Sequence, residues 1–189
     1  MIQLNVANET SQLKAVVLGI AQSNGPTPTS AACYDPSSLM HVKADTYPLE
    51  PQMLKELSAL ETVFKRYNVT VFRPHIIPDC NQIFARDVAF VIEDKIIKSN
   101  ILPDRENEFS GMSHILEQID STKIIELPKE CHIEGGDVIL FNDYLFAGVY
   151  TGPDYSDFIT ARTNQKAIDA LKLLFPHKTL KTFELKKSN

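Results

Sequence analysis

Short apolar runs alternate along this chain with segments in which apolar residues recur at helical spacing. Apolar runs of about four to eight residues that end at turn-forming residues are typical of buried strands. The pattern predicts strands at 13–19, 69–72, 88–92, 96–98, 123–127, 138–141, 144–149 and 179–185.

The helical spacing predicts three helices between these strands. One begins at Pro51, because Pro is favoured in the first helical turn. A second spans 107–119, and a third follows Asn164, which suits an N-cap. The segment 20–47 is rich in Pro, Ser, Thr and Asn without clear periodicity, so a long loop is expected there.

The order of these elements repeats. The second and third parts of the chain each read as strand, tight turn, strand, helix and strand, and the first part follows the same plan with a long second element. Such modules bury their faces against one another. The sequence therefore predicts an α/β fold, a single domain over 1–189, built as a partial α/β propeller of about three ββαβ modules.

Acidic residues stand immediately before the first strand of two modules. Asp87 precedes one strand, and Glu134 and Asp137 enclose a pair of glycines before another. Glycine permits positive φ and close approach of the backbone to other atoms. We expect Asp87 and Glu134 to occupy equivalent positions and to meet near the axis. Two carboxylates placed so would suit a planar cation such as a guanidinium, which pairs with carboxylates in a bidentate manner.

Composition narrows the functional classes. The net charge is −5, which argues against nucleic acid and membrane surfaces as partners. The three cysteines fit no zinc pattern, and no phosphate-binding loop appears, so no metal and no cofactor are expected. The N-terminus shows no signal-peptide pattern, and with an odd cysteine count this predicts a cytoplasmic protein.

Four motifs resemble those of one enzyme superfamily. They are the Asn-x-x-Phe-x-Arg-Asp of 81–87, Arg105 with Glu108, the Glu-Gly-Gly-Asp of 134–137, and the Arg-Thr that begins at Arg162. Because these motifs occur together and in this order, the chain resembles the guanidino-group-modifying superfamily of arginine deiminases, dimethylarginine dimethylaminohydrolases and amidinotransferases. The resemblance implies a propeller of five ββαβ modules, of which this chain would be the N-terminal part.

The resemblance also implies a substrate, such as arginine, and roles for particular residues. Asp87 and Glu134, assigned here as catalytic, would hold the substrate guanidinium during attack on its carbon. Four residues are assigned to substrate binding: Asn81, Arg105, Arg162 and Asp137. The first three would orient the carboxylate end of the substrate, and Asp137 would support the loop.

The sequence departs from the superfamily in its catalytic residues. Relatives use a cysteine nucleophile and a histidine that transfers protons. Cys33, Cys80 and Cys131 fall at none of the nucleophile positions, and no His-x-Asp occurs before the chain ends at Asn189. We therefore expect a chain that lacks the catalytic C-terminal part, does not catalyse the reaction alone, and forms homo-oligomers through exposed module edges.

Simpler interpretations of the same residues stay open. Asp87 could form a local ion pair with Arg86, and Arg105 could pair with Glu108. The 134–137 segment could be a strand-entry turn, and Arg162 a helix-entry charge. At the level of function, the alternatives are a non-catalytic binding module for a guanidino ligand or a protein partner, and an unrelated α/β repeat protein.

Overall fold

The computed structural model describes residues 1–33, 35–152 and 163–185. This part of the chain contains eight strands, β1 to β8, which run Ala15–Val17, Thr70–Phe72, Ala89–Ile92, Lys95–Lys98, Ile124–Glu126, Val138–Phe141, Tyr144–Val149 and Thr179–Glu184. Its five α-helices, α1 to α5, run Pro36–Lys43, Glu50–Arg66, Ala85–Val88, Ser113–Leu116 and Gln165–Leu174. Each predicted strand is present, shortened by a few residues in most cases.

The chain divides into two compact units. The helix unit comprises Gln12–Ala85 and Asn107–Ile115, and it contains a parallel pair of strands, β1 and β2, with α2 packed on β2. The sheet unit comprises Met1–Ser11, Arg86–Glu106 and Leu116–Asn189. It contains two three-stranded sheets, ordered β3-β4-β5 and β6-β7-β8.

The two sheets of the sheet unit share one topology. In each, an antiparallel hairpin is followed by a helical segment and then by a third strand parallel to the second. Both hairpins turn through two residues, and the first turn residue has positive φ in each case, 54° at Glu93 and 51° at Asn142. The two sheets can therefore be aligned residue by residue from their turns.

One hydrophobic core joins these sheets. The apolar pattern of β6 and β7 turns alternate side chains inward, and helix α5 adds its apolar stripe to the same core. Phe90, Ile92 and Ile97 of the first sheet lie in this core with side chains of the second sheet and of α5. The members contributed by the second sheet and α5 are Val138, Leu140, Leu145, Ala167, Leu171 and Phe175.

The predicted third helix is confirmed. Helix α5 begins immediately after Asn164, whose side-chain oxygen accepts a hydrogen bond from the backbone N–H of Ala167 at 3.0 Å. This contact satisfies one of the free N–H groups of the first turn. No helix in the described residues is long and apolar enough to cross a membrane.

One further prediction is wrong and another holds only in part. The expected loop at 20–47 contains α1, whose N-cap Asp35 accepts hydrogen bonds from the N–H groups of Ser37 and Ser38. The Asp-Pro pair at its start is a helix-entry signal that the weak periodicity concealed. The expected helix at 107–119 is largely 3-10 helix, Pro103–Met112, with the short α4 after it. Its Asn, Ser and Gly content disfavours a regular α-helix.

Candidate functional site

Two carboxylates of the sheet unit bind the same arginine side chain. The Nη1 atom of Arg105 lies 2.9 Å from Oδ2 of Asp87 and 3.5 Å from Oε2 of Glu134. The exposed fractions of these side chains are 13% for Arg105, 18% for Asp87 and 3% for Glu134. Because water is largely excluded, both acids need a cationic partner, and Arg105 supplies it. The structure thus brings Asp87 and Glu134 together around one guanidinium.

A second arginine joins the segments that carry these acids. Arg86 donates from Nε to the carbonyl oxygen of Gly135 at 3.0 Å and from Nη2 to that of Val138 at 2.7 Å. The same guanidinium binds the carboxylate of Glu9, at 2.7 Å from Nη2. These bonds hold the entry of β6 beside α3, so that Asp87 and the loop of Glu134 are positioned by one planar side chain.

The adjacent glycines are required by close approach. A Cβ at Gly135 would collide with the carbonyl oxygen of Arg86, and one at Gly136 would lie 2.5 Å from Oδ1 of Asp87. Neither glycine is among the residues with positive φ, since both lie in a short 3-10 turn, Gly135–Asp137. The space left by their missing side chains is what brings the two acid-bearing segments together.

The remaining acid of this motif supports the loop. The hydroxyl of Thr163 donates to Oδ2 of Asp137 at 2.8 Å and accepts from the backbone N–H of Glu134 at 3.4 Å. Thr163 is fully buried. Its link fixes the backbone on both sides of the two glycines. Sequence reasoning did not select Thr163 itself, although the Arg-Thr motif that contains it pointed to this segment.

The other predicted residues are placed as follows. Asn81 belongs to the helix unit, where its side-chain oxygen accepts from the backbone N–H of Ile83 at 3.1 Å. Arg162 lies outside the described residues. Glu108 is a buried acid of the helix unit. The proposed roles of Asn81 and Arg162 in binding a substrate carboxylate stay predictions.

Two expectations about the acids are corrected. Aligned from the hairpin turns, Asp87 corresponds to Gly136, so Asp87 and Glu134 do not occupy equivalent positions. They meet because Asp87 lies at the end of a short helix, whereas Glu134 lies before a 3-10 turn. The local ion pair of Asp87 with Arg86 is also wrong, since Arg86 binds Glu9 while Asp87 binds Arg105.

Cys131 is a structural residue. It is buried in the core of the sheet unit, and burial raises the pKa of its thiol above the ordinary value. A raised pKa disfavours the thiolate, the form that attacks an electrophile. The adjacent His132 is half-buried. These two residues therefore offer no nucleophile and base pair.

A stacked histidine pair in the helix unit was not foreseen. The rings of His75 and His114 are parallel within 2°, with centroids 3.7 Å apart. The two residues are far apart in sequence, so no local pattern could have paired them. Within the described residues, no group of three or more His, Cys, Asp or Glu side chains could hold a metal ion.

Comparison of sequences finds no relative, since no family model and no curated protein matches this chain. Comparison of structures does. An amidinotransferase from Microseira wollei in the saxitoxin biosynthetic pathway matches with a TM-score of 0.70 over 96% of this chain at 17% identity. DDAH from Pseudomonas aeruginosa, complexed with citrulline, matches with a TM-score of 0.66 over 94% of this chain at 13% identity.

A third solved structure is the N-terminal domain of a cyanobacterial arginine dihydrolase bound to its substrate. It matches with a TM-score of 0.68 over 92% of this chain at 12% identity. The chain has the fold of the guanidino-group-modifying, or pentein, superfamily. It spans 62%, 63% and 59% of the lengths of these three pentein proteins, respectively. At these sequence identities the structural likeness shows a shared fold and does not extend to function.

Proposed function

We propose that this chain recognises the guanidino group of an arginine-like substrate, as the binding part of a guanidino-group-modifying enzyme of the amidinotransferase or hydrolase type. One observation carries the proposal: two nearly buried carboxylates, Asp87 and Glu134, already bind a guanidinium, that of Arg105. A substrate guanidinium presents the same planar fork of donors. The pentein fold, shared with enzymes that act on arginine and related compounds, supports the same conclusion.

Arg105 already binds the acid pair, so a ligand guanidinium has to displace it. A ligand guanidinium and the Arg105 guanidinium compete for the same carboxylates, so Arg105 must move when the ligand binds. Arg105 then needs a new anion, because a buried arginine without one is costly. A substrate with its own carboxylate provides it, which gives Arg105 the role that the motif resemblance implies.

The neighbouring residues complete this proposal. Asn81 and Arg162 are proposed to bind the carboxylate end of the substrate together with Arg105, while Asp137 holds the loop of Glu134 through Thr163. The two sheets with matched registers support a modular chain, and we infer that its three modules form part of a propeller. The catalytic cysteine and histidine of relatives have no counterpart assigned in this chain.

Calorimetric titration tests the proposal. L-arginine, dimethylarginine, agmatine and guanidinium chloride are titrated into the 189-residue protein. We expect L-arginine to bind, and Asp87→Asn and Glu134→Gln each to weaken it about 10- to 100-fold, because each removes a charge-assisted hydrogen bond. Thermal melts establish that the variants fold. A folded wild type that binds none of the four compounds at millimolar concentration contradicts the proposal.

A variant of Arg105 separates competition from simple binding. In Arg105→Met the acids lose their internal partner, so agmatine and guanidinium should bind more tightly while L-arginine loses its advantage over agmatine by about tenfold. Lys98→Met is the matched control, because Lys98 forms an ion pair with Glu126 elsewhere on the sheet unit. Equal loss of affinity for every ligand in Arg105→Met would show that Arg105 does not compete. Release of citrulline or ornithine should be undetectable, and measurable release would refute the limitation to binding.

A further inference from the structure

The N-terminal segment, residues 6–9, lies across both hairpin turns of the sheet unit. Val6 exchanges two backbone hydrogen bonds with Glu93, the first turn residue of the β3-β4 hairpin, at 2.9 and 2.8 Å. Ala7 accepts a hydrogen bond from the backbone N–H of Asn142, the first turn residue of the β6-β7 hairpin, at 2.9 Å. The end of this segment is therefore held beside the second sheet by backbone contacts with two modules.

The last residue of the segment, Glu9, binds Arg86 in a bidentate manner. Its Oε1 atom accepts from Nη2 of Arg86 at 2.7 Å, and its Oε2 atom accepts from Nη1 at 3.2 Å. Oε1 also accepts from the backbone N–H of Leu140 at 3.2 Å, so β6 itself orients the carboxylate. Paired hydrogen bonds of this kind fix the plane of a guanidinium. Arg86 is thereby held by Glu9 together with the two carbonyl oxygens at the entry of β6.

Glu9 supplies the negative charge that balances Arg86. The carbonyl oxygens that Arg86 binds carry only partial charges, whereas opposite full charges attract strongly at short range. The next residue along the chain is Asp87, whose Oδ1 atom lies against Gly136, the residue that follows the carbonyl group bound by Nε of Arg86. Without the charge of Glu9, Arg86 would therefore compete with Arg105 for Asp87.

The Glu9–Arg86 pair differs in burial from the acid pair that it adjoins. The side chains of Arg86 and Glu9 are 46% and 34% exposed, whereas those of Asp87 and Glu134 are 18% and 3% exposed. A partly solvated ion pair adds little to stability. The effect of Glu9 should therefore appear in the arrangement around Asp87, and only weakly in the stability of the fold.

We propose that Glu9 is a positioning residue for the acid pair. It neutralises Arg86 and keeps the guanidinium of Arg86 on the entry of β6, which leaves Asp87 available to Arg105 or to the guanidino group of a ligand. The part of this proposal that concerns a ligand rests on the function proposed above. The part that concerns Arg105 is independent of that function, because it concerns ion pairs within the chain.

Hydrogen exchange and chemical shifts of the arginine side chains, measured by NMR, test the positioning. Glu9→Gln keeps an oxygen that can accept from Leu140 and removes the charge. The Nε–H group of Arg86 should then exchange about twofold to fivefold faster, and the guanidinium signals of Arg105 should shift as Arg86 competes for Asp87. Spectra of Arg86→Gln and Arg105→Met assign the signals. Unchanged Arg105 signals in Glu9→Gln overturn the proposal.

Glu93→Gln is the matched control. It removes a carboxylate from another partly solvated ion pair beside the same N-terminal segment, in which the partner is Lys178 rather than Arg86. It should therefore leave the signals of Arg86 and Arg105 unchanged, and urea denaturation compares the stability of the two variants. Equal shifts of the Arg105 signals in both variants would show a general loosening of the segment and would refute a specific role of Glu9.

Calorimetric titration with L-arginine extends the test to the ligand. Glu9→Gln should weaken binding about threefold to tenfold, and Glu93→Gln should leave it unchanged. In an Arg86→Gln background Glu9→Gln should weaken binding no further, because Glu9 acts through Arg86, and additive losses contradict the proposal. Thermal melts verify folding, and if Arg86→Gln does not fold, the Arg105 signals decide.

The two measurements separate this proposal from the proposed function. A wild type that binds no L-arginine, while Glu9→Gln still shifts the Arg105 signals, refutes the proposed function and supports the positioning by Glu9. A wild type and a Glu9→Gln variant that bind L-arginine equally well support the proposed function and refute the positioning of the ligand site.

Discussion

The β3-β4-β5 and β6-β7-β8 sheets have the same topology and the same hairpin register, yet one has both faces covered and the other has one. Ile92 is fully buried, whereas Phe141, at the same position from the turn, is half exposed. The difference cannot come from the strand pattern, because both positions are apolar. It comes from what lies next to each face: Ile92 lies in one core with the inner face of the second sheet and with α5, whereas Phe141 lies on the other face of the second sheet, outside that core.

Apolar periodicity reports which side chains can be buried, and neighbouring elements decide which of them are. A strand with alternating apolar residues forms in either case. The free energy obtained from burial depends on the area that a partner removes from water.

Truncating the equivalent side chains Ile92 and Phe141 should change the free energy of unfolding by very different amounts. Ile92→Ala should lower the free energy of unfolding by about 2–5 kcal/mol, because it leaves a cavity in the core. Phe141→Ala should lower that of the monomer by less than about 1 kcal/mol, since a half-exposed ring loses little burial. Urea denaturation at low protein concentration measures both, and equal losses would contradict the assigned burial.

Substitution of Gly135 and Gly136 tests whether their close approach to Arg86 and Asp87 is needed for stability and for arginine binding. Gly135→Ala should destabilise the fold by about 1–3 kcal/mol, because its Cβ meets the backbone oxygen of Arg86. Gly136→Ala meets a movable carboxylate of Asp87 instead, so it should cost less stability and weaken arginine binding. Denaturation and calorimetry on both variants separate the effects. Weaker binding without a change in stability in Gly135→Ala would reverse this assignment.

The two turn residues differ in how their contribution depends on pH. A hydrogen bond from Lys178, followed by one from His177, holds the pKa of Glu93 below its ordinary value of 4.5. A lowered pKa in the folded state means that Glu93 stabilises the protein above about pH 4.5 and that this stabilisation is lost as pH falls through the lowered pKa.

Glu93→Gln should therefore lower the free energy of unfolding at pH 7 by less than about 1 kcal/mol, because the pair is partly solvated, and the difference should vanish in acid. Asn142→Asp is the matched change at the other turn. Because the Nζ of Lys178 also donates to the backbone carbonyl oxygen of Asn142 at 2.7 Å, the new carboxylate lies near the same cation, and any stability that it adds at pH 7 should likewise be lost in acid. Denaturation at pH 3 and pH 7 measures both variants, and a Glu93→Gln effect that grows in acid would refute the sign.

The sequence by itself determined the strands, the two hairpins and the acids that meet. Short apolar runs bounded by turns define strands locally, and the Glu-Gly-Gly-Asp motif pointed to the segment in which Glu134 meets Arg105. The sequence pattern did not reveal α1, because the Asp35 cap lies in a segment without periodicity. It indicated a helical segment at 107–119 but not its type, since polar residues and Gly there favour a 3-10 helix.

The tertiary structure decided the partners. Sequence placed Arg86 beside Asp87, yet Arg86 binds Glu9 and the start of β6, whereas Asp87 and Glu134 share Arg105. It also decided that the glycines serve close approach rather than positive φ, and that Phe141 lies outside the core in which Ile92 is buried. These outcomes depend on contacts between residues far apart in the chain, where geometry selects among several chemically suitable pairs.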